Sequence, residues 1–138
     1  MIIEKKKVLF VCVENSCRSQ MAEGFARHIG KGIIEVYSAG SKPSGEVNPM
    51  AIEVMKEKSI DISSHKSKSF FDLNVKDFDY SVTLGCQDIC PFASADKHIE
   101  WAIPDPKGRD KEFFRQTASI IESKVMTLIK EIKDGKTF

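Results

Sequence analysis

The sequence predicts an α/β fold, a parallel sheet within three layers. Two observations carry this. Residues 8–13 form an unbroken apolar run, the pattern of a strand buried on both faces. Further strand-like runs then alternate with segments whose apolar residues recur at helical spacing. The run at 8–13 is the expected central strand. Met21, Ala22, Phe25, Ala26 and Ile29 give the next segment a single apolar face to lay on a sheet. Gly30 and Gly32 end that helix. Residues 33–38 read as a second strand, followed by a loop containing Pro43 and Gly45. Asn48-Pro49 is a helix start, a capping side chain followed by a proline at the first helical position, and the helix should run to near residue 58. The stretch 60–68 is polar and irregular, with a short helix expected near 70–73. Residues 78–84 read as a third strand and 99–103 as a short fourth. Asp110 caps a long last helix whose stripe is Phe113, Phe114, Thr117, Ile121, Val125, Leu128 and Ile132. No repeat or linker interrupts the pattern, so residues 1–138 are expected to be one domain.

Composition narrows the function. A chain of 138 residues can bury a real core. Its net charge of +1 gives no electrostatic case for nucleic acid or an anionic membrane. No apolar run reaches the length of a membrane span. Lys5-Lys6-Lys7 precedes an apolar stretch, but that stretch stops at Glu14 and lacks a small-residue cleavage pattern, so it is not read as a signal peptide. The expected location is the cytoplasm and the expected state a monomer. Four cysteines there are reactive thiols or metal ligands before they are structural disulfides. No further Cys/His cluster supports a metal, and no cofactor is expected.

The chemistry concentrates at the end of the first strand. Cys12 and Arg18 stand six positions apart, in Cys12-Val13-Glu14-Asn15-Ser16-Cys17-Arg18-Ser19, which runs directly into a helix. Strand, tight loop and helix start aim backbone N–H groups at an oxyanion. Arg18 adds a planar fork suited to a tetrahedral oxyanion. Val13, Glu14, Asn15, Ser16, Cys17, Arg18 and Ser19 are therefore the expected binding loop, with Cys12 beneath the anion as nucleophile. A helix N-terminus and a guanidinium both favour the thiolate, the reactive form. Ser19 is placed to donate a hydrogen bond to it, and Asn15 to hold the loop's backbone. Cys17 is expected to point into the core and Glu14 into solvent. Taken alone, Cys12 could equally be a small buried apolar residue; Arg18, Ser19 and the strand-to-helix context argue against that. Gly85-Cys86 and Asp105 also follow strands, and should share the sheet edge at which ligands of such folds bind.

Cys-x5-Arg-Ser near the N-terminus resembles the low-molecular-weight tyrosine phosphatase family. Asn15-Ser16-Cys17-Arg18-Ser19-Gln20-Met21-Ala22-Glu23 is similar, within it, to the arsenate reductases that recycle through thioredoxin. Tyr37-Ser38-Ala39-Gly40, Val47-Asn48-Pro49, Asp61-Ile62-Ser63, Val82-Thr83-Leu84, Cys90-Pro91 and Asp105-Pro106 extend the resemblance along nearly the whole chain. It implies the low-molecular-weight phosphatase fold, with a four-stranded parallel sheet in flavodoxin-like order. It implies that Asp105 is the general acid, protonating the leaving oxygen. It also implies a thiol relay. Cys12 attacks arsenate, Cys86 attacks Cys12 and expels arsenite, and Cys90 then takes Cys86 into a disulfide that thioredoxin or another thiol donor reduces. Only three residues separate Cys86 from Cys90, fewer than is usual in the relay enzymes, which leaves the donor open. A disulfide needs Cβ atoms roughly 3.5–4.5 Å apart. Positions four apart on a helix lie about 5–6 Å apart. Any helix across this pair must therefore loosen on oxidation, and residues 85–95 are expected to rearrange between redox states.

The same resemblance leaves two other functions open. One is a phosphatase hydrolysing phosphate monoesters through a Cys12 phosphocysteine. The other is an arsenic- or redox-sensing thiol protein without turnover. Lys107 stands where the phosphatases commonly place an aromatic residue to stack on phosphotyrosine, which argues against the tyrosine phosphatase. Some of the reductases bind potassium beside the loop. Asn15, Glu23 and Ser38 match their ligand positions, and Lys68 falls where a carboxylate is expected, so its ammonium is expected to replace the ion. His28, His65 and His98 show no catalytic spacing and are expected to be surface or capping residues.

Overall fold

β1 (Lys6–Cys12) occupies the interior of the sheet because its sequence leaves no polar face. Val8, Leu9, Phe10 and Val11 are all buried. The computed structural model describes residues 5–85 and 94–135. Within them the order is β1, α1 (Arg18–Ile29), β2 (Ile34–Gly40), α2 (Pro49–Glu57), a 3-10 turn (Phe70–Asp72), β3 (Asp77–Leu84), β4 (Ser94–Trp101) and α3 (Lys111–Lys133). The four strands are parallel, in the order β2-β1-β3-β4. This is the α/β class and strand order expected from the sequence.

Capping chemistry sets the helix starts as read. Asn48 Oδ1 accepts from the Met50 N–H at 2.8 Å, with Pro49 in the first turn. Asp110 Oδ1 accepts from the Phe113 N–H at 2.9 Å. α1 differs: its N-cap residue, Cys17, makes no side-chain cap, so the orphan N–H groups of the first turn are left for another acceptor. Met21, Ala22, Phe25 and Ala26 bury one face of α1 on the sheet, and α1 packs in turn against α2 and α3. The buried stripe of α3 includes Phe114, Thr117, Ile121, Val125 and Leu128; Phe113 lies outside it, beneath the Arg109 guanidinium. Phe10 and Trp101 meet at 6.0 Å between ring centroids, tying β1 to the strand at the far edge.

Strand boundaries depart from the expected ones most at β2 and β4, and β1 spans Lys6–Cys12 rather than 8–13. β2 continues past Ser38 to Gly40, pairing Ala39 with Val11 and Gly40 with Cys12. β4 spans Ser94–Trp101 rather than 99–103. Its Asp96, Lys97 and His98 lie before the expected start, and the exposure along the strand alternates as on an edge strand with one face toward water. The expected rearranging segment over 85–95 lies almost wholly outside the described residues, as do Cys86 and Cys90.

Candidate active site

β1 ends at Cys12, a residue only 3% exposed, and delivers it to the floor of a cavity. The cavity encloses about 210 Å³ and is lined by Cys12, Val13, Glu14, Ser16, Cys17, Arg18, Asp105 and Lys107. Its wall is the loop between β1 and α1, and the bonding of that loop's carbonyls shows how it is oriented. Val13 O accepts from Lys42 N–H at 2.8 Å. Glu14 O accepts from Ser44 N–H at 3.1 Å and from Ser67 Oγ at 2.7 Å. Ser16 O accepts from Asn48 N–H at 3.0 Å, and Cys17 O from Met21 N–H at 2.9 Å inside α1. A trans peptide points its C=O and the next N–H in opposite directions. With these carbonyls drawn outward, the N–H groups of Glu14, Asn15, Cys17 and Arg18 turn toward the cavity. The uncapped start of α1 adds its dipole in the same sense.

Asn15 makes this loop shape possible. Its φ of 51° lies in the left-handed region that asparagine tolerates better than most residues. It is fully buried behind the cavity, where Nδ2 donates to Ser19 Oγ at 2.7 Å and Oδ1 accepts from Lys68 N–H at 2.9 Å. Ser19 Oγ lies 2.9 Å from Cys12 Sγ. Because that oxygen already accepts from Asn15, its own hydrogen is free to be donated to the sulfur. Gly40 closes the loop from β2: a Cβ there would stand 2.5 Å from Val13 O and 2.9 Å from Asn15 N.

Arg18 is buried along the cavity side. Nη1 donates to Ile103 O at 2.9 Å and Nη2 lies 3.7 Å from Asp105 Oδ2. Gly85 is what allows this placement. Its φ is +83°, and a Cβ there would fall 2.0 Å from Arg18 Nη1. Asp105 is half exposed, and its Oδ1 accepts from Lys107 N–H at 3.1 Å. Lys107 then reaches across the mouth, Nζ lying 2.7 Å from both carboxylate oxygens of Glu14. That contact raises the pKa of the Lys107 ammonium. Glu14 therefore does not simply face solvent as expected, because a cation from the far loop holds it. Cys17 is buried as expected, yet it also borders the cavity. Burial, then the charges of Asp105 and Cys12, push its thiol up to about 12.

A second ring of polar residues supports the loop from behind. Gln20 Nε2 donates to Asn15 Oδ1 at 2.8 Å and to Lys66 O at 2.8 Å. Its Oε1 must then face His65 Nδ1 at 3.1 Å, which places the histidine's hydrogen on Nδ1. His65 was expected at the surface or as a cap; instead it packs here, and burial lowers its pKa against the opposing pull of Glu23. Lys68 Nζ stands 3.3 Å from Glu23 Oε1 and 3.0 Å from Ser38 Oγ, and Ser38 in turn donates to Glu23. Burial works against the Glu23 carboxylate, but Lys68, Ser38, His65 and Arg27 together hold its pKa below the usual range. Among the described residues, no cluster of three His, Cys, Asp or Glu side chains is arranged to hold a metal ion. Among them too, no helix is long and apolar enough to cross a membrane.

A profile of the low molecular weight phosphotyrosine protein phosphatases matches residues 7–137. The chain belongs to that family. Within it, the chain is 42% identical over 130 residues to the glutaredoxin arsenate reductase of Synechocystis sp., covering 92% of this chain and 98% of the relative. It is also 42% identical to the arsenate reductase of Staphylococcus xylosus, over 87% of this chain and 93% of that one. A solved structure described as an arsenate reductase in the phosphate binding state superposes with a TM-score of 0.84 at 42% identity, covering 92% of this chain and 98% of that chain.

The structure thus gathers Cys12, Val13, Glu14, Ser16, Cys17, Arg18 and Asp105 around one cavity, and sets Asn15 and Ser19 behind it. Sequence reasoning missed Gly85 as the seat of Arg18, Gln20 and His65 as the loop's support, and the pairing of Glu14 with Lys107. A glycine directly after a strand that feeds a ligand edge was the one available signal for Gly85.

Proposed function

We propose that the chain is a cytoplasmic arsenate reductase that turns arsenate into arsenite and is regenerated by an external thiol. The observation that carries this reading is the cavity floored by Cys12, with Ser19 against its sulfur and Arg18 and Asp105 above it. The arsenate reductases at 42% identity over most of the chain support the choice of reaction. The inward N–H groups and Arg18 bind the tetrahedral oxyanion and hold arsenic over the sulfur. The Cys12 thiolate attacks arsenic, and Asp105 gives a proton to the departing oxygen, which leaves as water. Cys86 thiolate then attacks Cys12 Sγ. The sulfur–arsenic bond breaks, its electron pair stays on arsenic, and arsenite departs from a Cys12–Cys86 disulfide. Attack by Cys90 on Cys86 moves the disulfide to Cys86–Cys90 and returns the Cys12 thiolate. Two electrons reach arsenic, and an external dithiol restores the last pair.

The electron donor is thioredoxin or another thiol reductant. The Synechocystis relative carries glutaredoxin in its name, which brings that donor into the test. The test is arsenate-dependent NADPH oxidation, with thioredoxin and its reductase in one arm, and glutaredoxin, glutathione and glutathione reductase in the other. Wild type should turn over in one arm, and Cys12→Ser and Cys86→Ser in neither. Absence of wild-type turnover in both arms would sink the reading. Hydrolysis of phosphate monoesters is the second reading, since Cys12, Arg18 and Asp105 suffice for it without Cys86 or Cys90. It predicts that Cys86→Ser leaves aryl phosphate hydrolysis intact.

A further inference from the structure

We propose that Glu14 and Lys107 form a clasp across the cavity mouth that selects a bare tetrahedral oxyanion over a substituted one. The inference rests on the reading of this cavity as the oxyanion site. Glu14 lies two residues beyond Cys12, and both of its carboxylate oxygens are 2.7 Å from Lys107 Nζ. Lys107 lies two residues beyond Asp105 and bonds it through the main chain at 3.1 Å. The pair therefore joins the loop that carries the nucleophile to the loop that carries the acid, and both of its members line the cavity.

Displacement at a tetrahedral centre places attacking and leaving atoms roughly in line. With Cys12 on the floor, the leaving oxygen lies on the Asp105 side. In arsenate or inorganic phosphate that oxygen carries at most a hydrogen, and it departs as water. In a phosphate ester it carries an organic group, which must cross the line between Glu14 and Lys107. A bare oxyanion fits beneath the clasp, and an ester has to open it.

Charge has a separable effect. A carboxylate in an anion loop repels any dianion unless a cation neutralises it, which Lys107 does here. That term acts alike on inorganic and organic dianions, so it cancels from the ratio of their affinities. The ratio isolates the clasp.

The experiment is calorimetric titration of the reduced protein with inorganic phosphate and with phenylphosphonate, whose P–C bond the enzyme does not hydrolyse. Wild type should prefer phosphate. Lys107→Ala and Glu14→Gln should each shrink that preference about fivefold, the size that an exposed ion pair supports. The reversed pair, Glu14→Lys with Lys107→Glu, should restore it. A wild type that shows no preference, single variants that leave it unchanged, or a reversed pair that behaves like the single variants would each overturn the clasp while leaving the oxyanion site in place. Failure of wild type to bind phosphate would overturn both. Neither titration depends on arsenate turnover, so failure of the reductase reading is seen separately in the NADPH assay.

Discussion

Gly85 shows how much one missing side chain decides. Arg18 reaches its position only because nothing stands where a Cβ would lie, 2.0 Å from Nη1 and 3.0 Å from Ile103 O. Gly85→Ala must therefore displace the guanidinium and also hold alanine at a φ of +83°, which costs roughly 1–2 kcal/mol of stability. Charge-assisted hydrogen bonds contribute about 1.5–3 kcal/mol each, so losing one should weaken phosphate binding about tenfold or more. Titration with phosphate checks this, and an unchanged affinity in a folded Gly85→Ala protein would mean that Arg18 does not depend on this glycine. Cys12, Arg18 and Ser19 were legible in the sequence because a strand end, a fixed spacing and a helix start lie within one short stretch. Gly85 was legible only as a residue of the ligand edge; its role as the seat of Arg18 was not, because that effect falls on a residue far away in the chain. The same holds for Glu14 and Lys107, which are 93 positions apart. Local patterns report periodicity and turns, and they carry no signal for a pair that only the folded sheet edge brings together.

At the scale of elements, α1 is held close to its neighbours by another glycine. A Cβ on Gly24 would meet Ile62 Cγ2 at 2.8 Å and Met55 Cε at 2.9 Å. Gly24→Val should overpack that contact and destabilise the fold by about 1–3 kcal/mol, measured by urea denaturation. A stability equal to wild type would show that Met55 and Ile62 can move aside. The polar ring joins three other pieces: Glu23 from α1, Ser38 from β2 and Lys68 from the segment after His65. The sequence pointed to Lys68 as a cation among potassium-ligand positions, and its Nζ does stand between Glu23 and Ser38. With an ammonium there, turnover should be the same in potassium as in sodium. Lys68→Ala should lower turnover, with potassium restoring part of it. Wild-type activity that rose sharply with potassium alone would contradict this. β4 shows why elements are read less well at their ends. Ser94, Lys97 and His98 pair with β3, but polar side chains on an edge strand leave no apolar run to mark them in the sequence.

For the molecule as a whole, three buried titrations bound the pH range of stability. His65 is held below its ordinary 6.5 by burial, so the fold favours its neutral form. The unfolded chain takes up that proton first, and stability falls as pH drops below about 6.5. Glu23 has a lowered pKa, so its contribution is complete above the ordinary carboxylate value and is lost as pH falls through the depressed one. Both losses lie on the acid side and follow one another. Cys17 acts in the opposite direction. Its pKa is raised from 9.0 to about 12, so the fold favours the thiol, and that advantage is complete below 9 and lost as pH rises toward 12. One proton linked to unfolding gives a slope of about 1.4 kcal/mol per pH unit. Urea denaturation of the reduced protein should therefore show a plateau near neutral pH, flanked by two declines. Cys17→Ala should lower the plateau by leaving a small void, yet flatten the alkaline decline by about that slope. An equally steep alkaline decline in Cys17→Ala would assign it to other groups. It would also show that burial at the cavity edge does not hold the Cys17 thiol in its protonated form.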